Sequence, residues 1–87
     1  SYATGLALGL SRIQLGDLAR AQADLDRTVR LFPTEPQVRV QRALARFGQG
    51  DLTGALSDLD EAQRLDPKDP TAARLRTAML DRARGAD

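Results

Sequence analysis

The side chains in this 87-residue chain that could do chemistry are carboxylates and guanidiniums. Asp24 and Asp26 recur as Asp58 and Asp60, and paired carboxylates can work as general acid and base when both flank one bond. Two positions apart on a helix, however, side chains diverge, so neither pair can bracket a substrate. Arg20 and Asp24, Asp26 and Arg30, and Asp60 and Arg64 are each spaced four apart. That spacing predicts surface ion pairs along single helices, worth about 0.3–0.5 kcal/mol each. Arg39, Arg42 and Arg46 form a ridge at i, i+3 and i+7. Such a ridge could hold phosphate, but only Tyr2, Phe32 and Phe47 are aromatic and none interleaves with it, which disfavours nucleic acid. Bridging of the ridge to Asp58 and neighbouring acids is expected instead.

Catalysis and metal binding lack their usual groups. With no His and no Cys, the chain has no Ser-His-Asp or Cys-His arrangement and no imidazole or thiolate to hold zinc. Gly5-Leu6-Ala7-Leu8-Gly9 only superficially resembles a phosphate-binding loop, because it falls within a helical pattern. No catalytic residue, metal site or cofactor is therefore expected. Thirteen basic and twelve acidic residues leave a net charge of +1, which provides no global attraction to nucleic acid or anionic lipid. Twelve of the bases are Arg and only Lys68 is Lys, a bias that reads as GC-rich coding. The longest uncharged stretch, Ser1 to Ser11, is too short to span a bilayer and lacks the basic start of a signal peptide. The expectation is a soluble protein, cytoplasmic or periplasmic, with no membrane insertion. The chain opens in mid-pattern, so it is expected to be a fragment of something longer.

The elements that position these groups follow from internal repetition. A shift of 34 residues lays Leu8–Pro36 over Arg42–Pro70 with 13 of 29 positions identical and no gap. Among the identities are Gly16/Gly50, Asp17/Asp51, Ala21/Ala55, Asp24/Asp58, Leu25/Leu59 and Pro33/Pro67. These are punctuation and core, the features a structural repeat preserves. Gly-Asp reads as a left-handed helix stop followed by the cap of the next helix. Pro33 and Pro67 close the second helix of each unit, and Pro36 and Pro70 stand where a first turn tolerates a missing N–H. Five helices are predicted, at 2–15, 18–31, 36–48, 52–65 and 70–84. Leu18, Ala21, Leu25, Thr28 and Leu31 share one face, repeated by Leu52, Ala55, Leu59, Ala62 and Leu65, while Val40, Ala43, Leu44 and Phe47 make a stripe on the third helix. The last helix, with Leu75, Ala78 and Met79 amid charges, reads as an end cap.

These features resemble the tetratricopeptide repeat family: a 34-residue period, the Gly-Asp turn, the small residues Ala21 and Ala55 soon after it, and the closing Leu-x-Pro. Leu8-Gly9 resembles the family's Leu-Gly pair, and Asp66-Pro67 its common ending. Gly5, Arg12, Arg39 and Arg46 depart from it where large aromatics are usual. Arg42-Ala43 resembles a subclass in which the Arg pairs with an acid on the second helix, here Asp58. The resemblance implies an all-α solenoid of right-handed helix-turn-helix repeats over 1–87, with repeats at 2–35 and 36–69 and a capping helix at 70–84. It implies a protein–protein interaction module that is not an enzyme. Its ligand would be a helix or extended peptide lying against the first helices of each pair. Mapped here, that groove carries Leu6, Leu10, Ile13, Val40, Leu44, Phe47, Arg74 and Ala78. Leu6, Leu10 and Gln41 stand where the family's carboxylate clamp would sit, so that mode is not expected. Self-association through the same groove, as a homodimer or scaffold segment, is the alternative expectation. The Arg- and Ala-rich style resembles repeats of high-GC bacteria.

Overall fold

The computed structural model describes residues 1–85. Helices α1 (Tyr2–Gln14), α2 (Leu18–Leu31), α3 (Pro36–Gly48), α4 (Leu52–Leu65) and α5 (Thr71–Ala83) follow one another, and no strand occurs among the described residues. Each predicted helix is present, with ends shifted by at most one residue.

The same local chemistry ends α1 and α3. Gly16 and Gly50 adopt positive φ of 79° and 87°, a region glycine enters without the Cβ clash that other residues meet. The reversed chain then donates Gly16 N–H to Ile13 O at 3.0 Å and Asp17 N–H to Arg12 O at 2.8 Å. Gly50 N–H to Phe47 O at 3.0 Å and Asp51 N–H to Arg46 O at 2.9 Å repeat the pair, so carbonyls orphaned at each helix end are satisfied. Asp51 then caps α4, its carboxylate accepting from Gly54 N–H at 2.8 Å, whereas Asp17 makes no such bond. Pro36 occupies the first turn of α3. Pro70 lies one position earlier than expected, at the N-cap of α5. Asp69 covers that end by accepting from the Thr71 N–H at 2.9 Å and hydroxyl at 2.7 Å.

Consecutive helices pack as antiparallel neighbours, and α1 also touches α3. The fold is 17 Å across its thinnest axis against 39 Å along its longest, so its core divides into two clusters. One joins Ala21, Leu25, Val29, Val38 and Ala45, with Tyr2, Leu6 and Ile13 packed against it. The other joins Ala43, Ala55, Leu59, Ala62, Ala72 and Met79, with Val40, Leu44, Phe47, Leu52 and Leu75 against it. Helix α3 contributes to both because it is sandwiched between α2 and α4. Its Val38 and Ala45, both fully buried, lie off the stripe that periodicity singles out. Gly9 lets α1 approach α2: a Cβ there would collide with the Leu25 side chain. Two leucines face solvent, of which Leu31 departs from the expected α2 stripe. Leu8, the large member of the Leu8-Gly9 pair, is 40% exposed, and Leu31 at the end of the α2 stripe is 66% exposed. The α2 face turns inward at Val29 instead, which is buried.

Candidate functional site

In each carboxylate pair the first acid is buried and the second reaches toward the next helix. Asp24 and Asp58 are 6% and 2% exposed, and each faces the preceding helix of its own unit. Arg12 Nη1 donates to Asp24 Oδ2 at 2.6 Å, and Arg46 Nη1 to Asp58 Oδ2 at 2.9 Å. Asp26 and Asp60 face the following helix: Arg42 Nη1 reaches Asp26 Oδ1 at 3.2 Å and Arg76 Nε reaches Asp60 Oδ1 at 3.1 Å. The expected i,i+4 pairs Arg20–Asp24, Asp26–Arg30 and Asp60–Arg64 are therefore replaced. For Asp24 the reason is burial: a desolvated carboxylate needs a close, charge-matched donor. Arg12 of the adjacent helix supplies it at 2.6 Å, while Arg27 of its own helix stands at 3.5 Å. The part-buried Asp26 and the exposed Asp60 also turn to an adjacent helix. Arg20 lies 3.7 Å from Asp17, and Arg64 pairs with Glu61 through Nε at 2.9 Å.

Arg42 is the hub of this ladder. Its Nε and Nη2 grip Asp58 at 3.0 and 2.7 Å, the two-pronged geometry only a guanidinium provides. This is the pairing expected for Arg42. The hydrogen bond to Asp58 raises the Arg42 pKa above the ordinary value against the opposing effect of burial. Two of the three ridge arginines are thus consumed by Asp58, and Arg39 donates to the Pro33 carbonyl at 3.1 Å. The ladder stitches α2, α3, α4 and α5 together. It leaves the acids diverging to different partners, which is a positioning arrangement with no shared reactive point.

The apolar residues assigned to the groove separate by burial. Leu6 and Ile13 on α1 lean on the first core cluster, and Val40, Leu44 and Phe47 on α3 lean on the second. All five are half-buried, so each presents only part of its surface. Leu10 is 38% exposed, the most open of the six. Arg74 and Ala78 on α5 are exposed. Helix α1 touches α3, but the two apolar sets lean on different core clusters.

Sequence reasoning missed a cavity at one end of these helices. It measures about 380 Å³ and is walled by Tyr2, Pro36, Gln37, Val40 and Gln41 on one side, and by Ala62, Asp66, Asp69, Thr71 and Ala72 on the other, with Glu35 at its edge. The hydroxyl of Tyr2 and Oε1 of Gln41 are buried without a partner. Burial, with Glu35 adding to it, raises the Tyr2 pKa. Asp69 is held below the usual carboxylate range by its two hydrogen bonds from Thr71. Three carboxylates around the cavity make it unfavourable for an incoming carboxylate. Only long-range neighbours create this site, since its walls come from four different helices and the turns that lead into α3 and α5. Among the described residues, no cluster of three or more acidic side chains is arranged to hold a metal ion. None of the described helices is long and apolar enough to cross a membrane.

Residues 8–80 match the model of one protein family, described as the tetratricopeptide repeat. Comparison with curated proteins and with solved structures returns no match.

Proposed function

The chain belongs to the tetratricopeptide repeat family, whose repeats are protein–protein interaction modules, typically non-catalytic, and from that premise we propose that it holds an amphipathic helix or apolar segment of another protein. The contact would lie along the face shared by α1 and α3. Leu6, Leu10, Ile13, Val40, Leu44 and Phe47 would supply apolar contact, with Arg74 and Ala78 of α5 at the rim.

The observation that carries this reading is Leu10. It is a large apolar residue 38% exposed, set between Leu6 and Ile13, which are half-covered by the core. A ligand laid across Leu10 would meet Leu6 and Ile13 one turn away on either side, a spacing that suits another helix. Half-buried anchors contribute less than the 1.5–3 kcal/mol or so of a fully exposed large side chain. Affinity then depends on several acting together. The acids around the adjoining cavity support the absence of a carboxylate clamp, so the ligand's side chains and not its terminus would be recognised.

Selection from a displayed library of amphipathic helical peptides tests this. Peptides retained by the native chain should bind a Leu10→Asp variant at least about tenfold more weakly, a loss of about 1.4 kcal/mol. Peptides that bind both proteins equally, or no enrichment at all, would count against the groove.

A further inference from the structure

Repetition every 34 residues makes each odd-numbered helix a copy of the same part, and it gives each the same face toward the helix before it. On α3 that face is Val38, Arg42, Ala45 and Gln49. Val38 and Ala45 are fully buried against α2, Arg42 answers Asp26 at 3.2 Å and Gln49 Nε2 donates to Gln22 Oε1 at 2.6 Å. On α5 the face is used again: Ala72 and Met79 are buried in the cluster with α4, and Arg76 answers Asp60 at 3.1 Å.

On α1 the same register falls on Thr4, Leu8, Ser11 and Leu15, and all four are exposed, Leu8 by 40% and Leu15 by 83%. The chemistry of the register is inverted. Where α3 and α5 have apolar Val, Ala and Met, α1 has Thr4 and Ser11. Where they carry Arg42 and Arg76, α1 has Leu8. The face contains no charge at all.

We propose that this outer face of α1 pairs with the same face of a second copy of the chain, the two helices running antiparallel about a two-fold axis. The residues are spaced four, three and four apart, as in the seam of a two-helix pair. Antiparallel pairing centred between positions 8 and 11 sets Leu8 of one copy on Ser11 of the second copy, and Leu15 on Thr4. Every large side chain then meets a small one, so the backbones approach closely and the contact is isologous. Parallel pairing would instead stack Leu8 on Leu8 and leave gaps at Ser11. A helix with the chemistry of α2 or α4 fits less well, because its acid (Asp26 or Asp60) would be pressed over Leu8 with no cation to meet it. This seam is separate from the groove at Leu6, Leu10 and Ile13, and does not depend on it.

Sedimentation equilibrium of the whole chain is the test. A seam one helix wide lies at the low end of interface sizes, so dimerisation is expected between about 10 µM and 1 mM. Leu8→Arg places at position 8 the residue that the same register tolerates at 42 and 76. It should keep the fold, checked by circular dichroism, and weaken the dimer at least tenfold. Leu10→Asp, on the other side of α1, should leave the dimer unchanged. Because the chain has no cysteine, a mixture of Leu8→Cys and Ser11→Cys proteins should oxidise to the mixed disulfide in preference to either homodimer. A monomer throughout the range, or a dimer that survives Leu8→Arg, would overturn the proposal. So would a dimer that dissolves with Leu10→Asp, or preferential cross-linking of Leu8→Cys to itself.

Discussion

Asp58 shows how much one side chain organises. At 2% exposure it receives three hydrogen bonds, two from Arg42 and one from Arg46, and its removal would leave Arg46 without its acid and Arg42 with Asp26 alone. Asp58→Ala should cost about 3 kcal/mol, measured by chemical denaturation, because stranding a buried charge is penalised beyond the lost contact. Asp60→Ala removes only the exposed pair with Arg76 and should change stability by less than about 1 kcal/mol. Similar losses in both would mean that burial does not govern the ladder. Asp69 sets a pH dependence of definite sign. Its carboxyl is depressed by the Thr71 hydrogen bonds, so its contribution is complete above the ordinary carboxylate pKa of about 4 and is lost as pH falls through the lowered value. The melting temperature of Asp69→Asn should therefore fall less steeply on the acid side than that of the native chain. Partner choice is where residue-scale reading of the sequence succeeded and failed at once. Arg42–Asp58 followed from the family pattern, but the i,i+4 pairs did not form, because spacing along one helix says nothing about which acids packing turns inward.

At the scale of the helix, the turns and the small residues carry the architecture. The Gly stops were legible because positive φ is a local property that a glycine states outright. The Asp caps were legible only in part: Asp51 accepts from Gly54 N–H and Asp17 makes no such bond. Burial on α3 was only half legible: its stripe of Val40, Ala43, Leu44 and Phe47 reads as one face, but Val38 and Ala45 lie fully buried on another. A helix with neighbours on two sides has no single amphipathic period to detect. Close approach is equally non-local, and it leads to two expectations. Gly9→Val should drive a branched side chain into Leu25 and destabilise by about 1–3 kcal/mol. Gly50→Ala, in a turn where a Cβ meets nothing, should cost about 1 kcal/mol through backbone strain alone. Thermal unfolding of the two variants separates packing from conformation. A Gly9 variant as stable as the native chain would show that α1 and α2 can part without loss.

The molecule as a whole is a thin stack whose two core clusters meet in α3. Leu25 and Leu59 occupy corresponding places in them and are 0% and 1% exposed, so Leu25→Ala and Leu59→Ala should each cost about 2–5 kcal/mol in denaturation. A small domain has only about 5–15 kcal/mol in total, so either loss brings the chain close to unfolding. At this scale the fold was fully anticipated by the 34-residue period, whereas the cavity walled by Tyr2, Gln41, Asp66 and Asp69 was not, since no period relates residues from four helices. The groove lies between these cases: its residues were named from the family resemblance, and the half-burial of five of them became visible only with the packing. The central claim is that the α1–α3 face receives another protein. Its most direct test is ¹⁵N chemical-shift mapping of the native chain titrated with a selected amphipathic peptide. Shifts should concentrate on Leu6, Leu10, Ile13, Val40, Leu44 and Phe47 and extend to Arg74 and Ala78. Shifts confined to α2 and α4, or to Thr4, Leu8, Ser11 and Leu15, would contradict it.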